Sequence, residues 1–271
     1  MKLIQQSAEI WQQPEGEIGI FKQIERAARL CYKSEDKITD DSYKKFITML
    51  EDRKHKSPFE HGTVYLRFND NILAEQYIRN PYSKVNYNHF LYYVTTNYRV
   101  LVENGWEEDL KYLCEPTEYH TKRISVHIIT SRSISHELVR HRTFSFCQES
   151  QRYCNYSKDK FDNEITFIIP DWVNTHCPNE VNQGPSVTDM EWSTALQNAE
   201  ASYFLLLQEG WKPQQAREVL PNATKTELIM TGFGDDWESF FRLRCSSAAH
   251  PMMQDLANKI KDLIHGGKQE S

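Results

Sequence analysis

The chain has 271 residues, 39% of them hydrophobic, 12% aromatic and 26% charged, enough for a large core and far from the profile of a disordered chain. Its 32 Lys and Arg against 38 Asp and Glu leave a net charge of -6, which gives no global attraction for nucleic acid. No apolar run approaches the roughly 18 residues that span a bilayer, the first seven residues lack a leader's apolar stretch, and the six cysteines include no CxxC pair. The expectation is a cytoplasmic chain without membrane, metal or disulfide framework, folded as one elaborated domain over 1–271.

Taken in chain order, Ile20, Ile24, Ala27, Ala28 and Cys31 fall at helical spacing, and so do Tyr43, Phe46, Ile47 and Leu50 after the cap signal Thr39-Asp40. Val64, Leu66 and Phe68 alternate with Tyr65 and Arg67, which predicts a strand with one buried face, and Ile124, Val126 and Ile128 predict another. Between them, residues 79–120 read as an inserted, tyrosine-rich segment in which Phe90, Tyr92 and Val94 alternate and Trp106 to Leu113 forms a short helix. Residues 155–186 are polar, carry Pro170, Pro178 and Pro185, and read as a long surface connection around a short strand at Ile165 to Ile169. A long helix follows, with Thr188 and Glu191 as its capping box, an apolar stripe of Trp192, Leu196, Ala199, Tyr203 and Leu206, and an end at Gly210 and Pro213. A last helix carries Met253, Leu256, Ile260 and Leu263 and stops at Gly266-Gly267. The class is α+β, helices around a largely antiparallel sheet.

The chemistry concentrates between Ile128 and Tyr156. Residues 121–153 hold six Lys or Arg and two acids inside an acidic chain, which marks an anion site. If 135–144 is helical, Glu137, Arg140, His141 and Phe144 share one face. Ser150, Gln151 and Arg152 bring a hydroxyl, a carboxamide and a guanidinium, a set able to hold one phosphate. Ser150 has no Ser-His-Asp spacing around it, so it positions a ligand rather than attacking one. Two other readings of these residue types stay open here. A non-catalytic nucleotide- or RNA-binding module would use Tyr82, Tyr87, Tyr92, Tyr93 and Tyr98 beside Lys84 and Arg99. A metallohydrolase would use His136, Glu137 and His141, although positions five apart face different sides of a helix.

Arg140-His141-Arg142, seven residues, Ser150, then Gln151-Arg152-Tyr153 resembles the signature of flavin-dependent thymidylate synthases. Ser57-Pro58-Phe59-Glu60-His61 leading into a strand, Ala216-Arg217-Glu218-Val219-Leu220-Pro221, and Arg244 in Phe241-Arg242-Leu243-Arg244 match further elements in the same order, so the resemblance runs from Ala27 to about Leu263. It implies reductive methylation of dUMP to dTMP, with carbon from methylenetetrahydrofolate and hydride from FAD reduced by NADPH. It implies that Ser150, Gln151, Arg152, Arg217 and Arg244 serve dUMP, with Arg244 catalytic at the uracil, and Glu137, Arg140 and Gln148 beside them are expected to serve the same ligand. His61, Thr63, Arg140, His141, Arg142 and Gln148 are implied on the FAD side, in a homotetramer whose sites are shared between chains. The chain departs from the family pattern at Cys147-Gln148, where Asn-Glu is common, and at Phe233, Asp235 and Ser239, where flavin-adenylate residues are common. His250 is offset from a family histidine and has no implied role.

Overall fold

The computed structural model describes residues 1–158, 161–173 and 186–266. Its elements begin with β1 (Lys2–Ile4), β2 (Ser7–Trp11), α1 (Gly16–Tyr32), α2 (Ser42–Asp52), β3 (Thr63–Phe68), α3 (Asn71–Arg79), β4 (Lys84–Asn88), β5 (Leu91–Asn97) and α4 (Tyr98–Asn104). They continue with β6 (Arg123–Ser131), α5 (Arg132–Leu138), β7 (Ser145–Gln148), β8 (Thr166–Ile168), α6 (Val187–Gln208), α7 (Pro213–Ala216), β9 (Lys225–Phe233), α8 (Gly234–Arg244) and α9 (Pro251–Gly266).

The alternation in β3 and β6 does what the sequence predicts: Val64, Leu66 and Phe68 are buried on one side, Val126 and Ile128 on another. Two antiparallel sheets result, one of four strands in the order β2-β6-β9-β7 and one of three in the order β3-β5-β4, with β1 and β8 making a small parallel pair. Helices α5, α8 and α9 cover one face of the four-stranded sheet through Leu138, Trp237, Phe240, Met253 and Leu256. Helices α1 to α4 close a second core with the three-stranded sheet around Ile24, Leu50, Phe59 and Leu66. The architecture is the expected α+β class. No helix of the described residues is long and apolar enough to cross a membrane.

Several local expectations are corrected. The chain opens on two short strands before its first helix; β1 and β2 hold three and five residues, too few for their periodicity to stand out. Segment 79–120 supplies β4 and β5, and thus two strands of the sheet that β3 joins. Phe90 leaves the predicted alternation: with His89 it forms the two-residue turn of the hairpin, both with positive φ, and its side chain is exposed. Trp106 to Leu113 contains a 3-10 helix over Glu107–Tyr112. Helix α6 starts earlier than predicted, because Ser186 and Asp189 form the capping box in place of Thr188 and Glu191. In α9 the buried stripe is Met252, Met253, Leu256, Ala257 and Ile260, with Leu263 turned outward. Pro178, Pro185 and Gly267, with residues 159–160 and 174–185 of the predicted connection, lie outside the described residues.

Candidate active site

The charged motif folds across one face of the four-stranded sheet. Ser131 caps α5 by accepting from the Ile134 amide at 3.4 Å, and the helix ends at Leu138 rather than running on to residue 144. The chain then turns, with His141 N–H donating to the Leu138 carbonyl and Phe144 N–H to that of His141. Gly232 explains the turn's destination. A Cβ there would fall 2.5 Å from the Phe144 ring, so only glycine on β9 lets this ring lie flat on the strand and lead into β7.

Although the helix stops early, Glu137 and His141 still meet, because Arg244 at the end of α8 reaches both. Its Nη1 donates to Glu137 Oε2 at 2.7 Å, its Nη2 to the Glu137 carbonyl at 3.3 Å, and its Nε to His141 Nε2 at 2.9 Å. A guanidinium has five N–H donors, so one remains on each terminal nitrogen. His141 packs edge-on against Phe240, and burial, then the Arg244 charge, push its pKa down to about 4, leaving a neutral acceptor. Arg140 and His136 are exposed. Among the described residues no group of three or more His, Cys, Asp or Glu could hold a metal ion.

At the Ser131 end of the sheet a second polar set gathers. Gln148 on β7 donates to Ser135 Oγ at 2.9 Å and Thr226 Oγ1 at 3.1 Å, and Arg132 donates to the same Thr226 hydroxyl at 3.2 Å. Ser150 N–H donates to the Cys31 carbonyl at 3.1 Å, which ties the loop to the end of α1. Gln151 hydrogen-bonds with Tyr156, Arg152 is exposed over the Tyr153 ring, and Arg217 is half-buried close enough for its charge to act on Arg132. Behind this loop, Glu149 is buried and paired to Lys225 Nζ at 3.0 Å. Lys225 also pairs with Glu227, which meets Lys33 at 2.7 Å and His127 at 3.2 Å. Burial pushes the Glu227 carboxyl up, but these partners together hold it well below the usual carboxylate range.

The opposite end of the sheet carries a cavity of about 390 Å³ between the two sheets, lined by Arg142, Thr143, Ser145, Lys84, Arg99 and Phe233 among others. Arg123 sits deep at its base. It donates to the Glu60 carbonyl at 2.5 Å, Thr63 Oγ1 at 3.4 Å and Ser145 Oγ at 3.2 Å, and burial pushes its pKa down to about 10. Arg123 and Lys84 both lie within 6 Å of the Phe233 ring. Arg99 is engaged by Glu60 and Glu103, while no carboxylate pairs with Arg123, Arg142 or Lys84 among the described residues. A second cavity of about 640 Å³, lined by Asp235, Gly234, Thr63 and Trp11, adjoins Arg123 from the other side.

His61 lines neither cavity. It is fully buried beneath them, bonded through Nδ1 to Thr231 Oγ1 at 2.8 Å, and burial, then the Arg123 charge, lower its pKa to about 3. Its residue neighbour Thr63 is held by a two-way bond between its backbone and the Gln13 carboxamide, at 2.8 and 2.9 Å. Gly62 makes that approach possible: a Cβ would strike Ile20 and Ile24 of α1. Ser239 is exposed and accepts from Arg242, and His250 is exposed against Trp172. Of the tyrosines that an RNA-binding surface would need, Tyr93 and Tyr98 are buried and only Tyr82 and Tyr87 are freely exposed.

Sequence reasoning named Glu137, His141 and Arg244 and missed Arg123, Arg132 and Thr226. The local excess of basic residues contained both arginines, but their partners are carbonyls and hydroxyls that no charge pattern announces.

A family model described as thymidylate synthase complementing protein matches residues 18–122 and 115–266. A flavin-dependent thymidylate synthase from Geobacter sulfurreducens is 34% identical over 137 residues, 50% of this chain and 53% of that protein, so the match spans about half of that relative's length. A probable flavin-dependent thymidylate synthase of Paramecium bursaria Chlorella virus 1 is 29% identical over 150 residues, 54% of this chain and 68% of that protein. A crystal structure of a UMP/dUMP methylase PolB from Streptomyces cacaoi, bound with 5-Br dUMP, superposes with a TM-score of 0.45 at 19% identity over 98% of this chain and 93% of that one. With both of its matched segments together reaching from residue 18 to residue 266, the chain belongs to the thymidylate synthase complementing protein family.

Proposed function

We propose that this chain is a methyltransferase that converts dUMP to dTMP, with methylenetetrahydrofolate as carbon donor and FAD, reduced by NADPH, as hydride source. The observation that carries this reading is the Arg244 cluster: residues more than a hundred positions apart, His141 and Arg244 nominated by the family motifs and Glu137 by its spacing from His141, converge and leave two guanidinium N–H groups for a ligand. In this reading Glu137 and the neutral His141 aim Arg244 at the uracil. Its charge stabilises the negative charge that develops on the ring as N3 loses its proton and C5 becomes nucleophilic. Ser150, Gln151, Arg152 and Arg217 hold the dUMP phosphate and sugar, joined by Arg132, and Gln148 presents a carboxamide oriented by Ser135 and Thr226.

The residues fit a flavin dinucleotide. Arg123, Arg142 and Lys84 bring cations without an ion pair of their own to one cavity that Glu60, Glu103 and Asp236 also line, a set suited to a pyrophosphate at its cationic side, and the Phe233 ring offers a flat apolar surface. Bound there, the flavin supplies the hydride chemistry. Arg142 contacts it directly in this reading, whereas Thr63, which lines the adjoining cavity, orients Arg123, and His61 acts from beneath by fixing Thr231 and the turn that precedes β3.

The two sets lie at opposite ends of β9. Lys225 and Phe233 are eight residues apart, about 26 Å at roughly 3.3 Å per residue. One flavin and one dUMP in contact therefore draw on two copies of the chain, which supports an oligomer with shared sites; the homotetramer is the assembly proposed for it. Mixing the inactive variants Arg142→Ala and Arg217→Ala tests the sharing, since hybrid oligomers recover activity only if the residues come from different subunits. For the chemistry, the purified protein is expected to show the visible absorption of bound flavin and to form dTMP when given dUMP, methylenetetrahydrofolate and NADPH. A colourless protein that neither takes up FAD nor binds dUMP would overturn the reading.

A further inference from the structure

The segment between the two sets contains a pair of thiols that the proposed reaction does not use. Cys31 lies in the last turn of α1 and Cys147 on β7, in one small cluster with Trp11, Ala27, Leu30 and Ile229. The Cys147 thiol is close enough to act on the Cys31 sulfur, whose own S–H points to the Ala27 carbonyl at 3.9 Å and which also faces the backbone of Gln148. The Cys31 carbonyl, in turn, receives the Ser150 N–H at 3.1 Å. Cys31 is half-buried and reachable from solvent, while Cys147 is enclosed.

We infer that Cys31 and Cys147 form a reversible disulfide in response to hydroperoxides, and that closing it disturbs the Gln148–Ser150 loop. In the first step the Cys31 thiolate sulfur attacks the hydroperoxide oxygen. The O–O bond breaks and the departing oxygen takes up the proton released by the thiol, giving a sulfenic acid and an alcohol, or water from hydrogen peroxide. In the second step Cys147 sulfur attacks the Cys31 sulfur, the S–S bond forms, the S–O bond breaks, and hydroxide leaves as water with the Cys147 proton. Two thiols lose two electrons in total, and one hydroperoxide gains them.

The order of roles follows from the surroundings. The Cys147 thiol, aided by the Gln148 backbone and opposed by burial, pushes the Cys31 thiol below its ordinary range, whereas the Cys31 sulfur beside it and burial push Cys147 up. The half-buried partner is thus the nucleophile and the enclosed one resolves it. A disulfide needs its sulfurs at about 2.05 Å, well inside hydrogen-bonding distance for two thiols, so α1 and β7 must close on each other. Both neighbours of that movement belong to the loop: Gln148 follows Cys147 directly, and Ser150 hangs from the Cys31 carbonyl.

The experiment treats the native chain with hydrogen peroxide and maps its peptides by mass spectrometry. A Cys31–Cys147 cross-link, two hydrogens lighter and reversed by dithiothreitol, is expected before modification of Cys114 or Cys245, whose thiols burial pushes up. In Cys147→Ser, dimedone should trap a sulfenic acid on Cys31. Oxidation of Cys31 at the same rate as Cys114 and Cys245, or its advance to sulfinic acid with no cross-link, would overturn the pair. The consequence for the loop rests on the proposed nucleotide site and is read separately, by dUMP binding in calorimetry. Oxidised protein is expected to bind at least about tenfold more weakly, with recovery on reduction, and unchanged affinity would remove the regulatory role. Failure of the reduced protein to bind dUMP would strike the proposed function and leave the cross-link result standing.

Discussion

Two arginines on opposite sides of the same sheet meet opposite fates. Arg244 is satisfied by its own chain, a carboxylate, a carbonyl and a neutral imidazole holding three of its five N–H groups. Arg123 donates only to a carbonyl and two hydroxyls; Glu60 and Asp236 act on its charge from a distance, and no carboxylate forms an ion pair with it beside two further cations on the cavity. Burying a guanidinium without a carboxylate is costly, so such a site is stable only where other contacts over-determine it or where an anion completes it. A paired arginine is aimed; an unpaired one is waiting. This difference separates the part of the molecule suited to developing charge from the part suited to a bound polyanion.

The largest effect expected from this contrast is on Arg244. Replacing it with alanine removes an electrostatic donor aimed at the reacting ring, which typically lowers the rate by about 100- to 1000-fold, or about 3 to 4 kcal/mol. Arg244→Lys should recover little, because an ammonium cannot bridge Glu137 and a ligand in one plane. Single-turnover oxidation of pre-reduced protein by dUMP and methylenetetrahydrofolate measures the step, and a near-normal rate constant at saturating dUMP would make Arg244 a binding residue only. Retention of the flavin in the alanine variant separates this loss from unfolding.

A second test concerns the histidine that lies under the Arg123 cavity. His61 has a folded pKa of about 3 against an ordinary 6.5, so below pH 6.5 the unfolded chain takes up a proton that the folded one refuses. Its contribution is present above pH 6.5 and is lost as the pH falls toward the folded value, at about 1.4 kcal/mol per pH unit for one proton. Between pH 6.5 and 5 that amounts to about 2 kcal/mol. Urea unfolding at both pH values, in native protein and in His61→Gln, should show the acid loss reduced in the variant. Equal slopes would place the acid sensitivity elsewhere.

What the sequence made legible follows from locality. The strands β3 and β6 could be read because most of the apolar residues of each lie on one face, so period-two alternation survives in the sequence, although the other face of β6 is covered too, with Ser125 and Ser131 buried. Helix α5 was drawn too long because nothing within 135–144 stops it; the stop comes from Phe144 seating on Gly232, almost ninety residues away. The Glu137–Arg244 pair spans 107 positions: local spacing singled out Glu137, the resemblance supplied Arg244, and neither gave their distance. Arg123 had no such help. Its partners are a backbone carbonyl and two hydroxyls about 22 to 63 residues away, groups present in every protein, and only the fold brings them to one guanidinium.

A smaller change is expected when Arg123 becomes methionine. The Glu60 carbonyl and the Ser145 hydroxyl lose their donor, which costs about 1 to 3 kcal/mol for groups left unsatisfied, while removal of a buried charge that has no ion pair offsets part of it. The net loss should be about 1 kcal/mol in urea unfolding. The sharper readout is ligand-dependent: pyrophosphate is expected to raise the melting temperature of the native protein and to leave Arg123→Met unmoved. Equal stabilisation of both would show that the anion binds elsewhere, and the cavity would lose its assigned role.

The smallest effect lies within the Arg244 cluster, and it divides the two causes acting on His141. Burial is the larger influence and the Arg244 charge the second, both lowering the imidazole pKa to about 4. Arg244→Gln keeps a donor near the ring and removes the charge. The pKa should therefore rise, yet stop short of the ordinary 6.5, because the ring remains packed against Phe240 and out of water. Titration of the imidazole by NMR in the two proteins measures the rise directly. If the pKa does not move, the arginine's charge is screened from the ring and His141 is neutral through burial alone; if it returns fully to 6.5, the variant has opened the packing between the α5 turn and α8. An intermediate value is the expected result, and it would establish that the same guanidinium that is held by Glu137 also keeps His141 in the uncharged form able to accept its Nε–H.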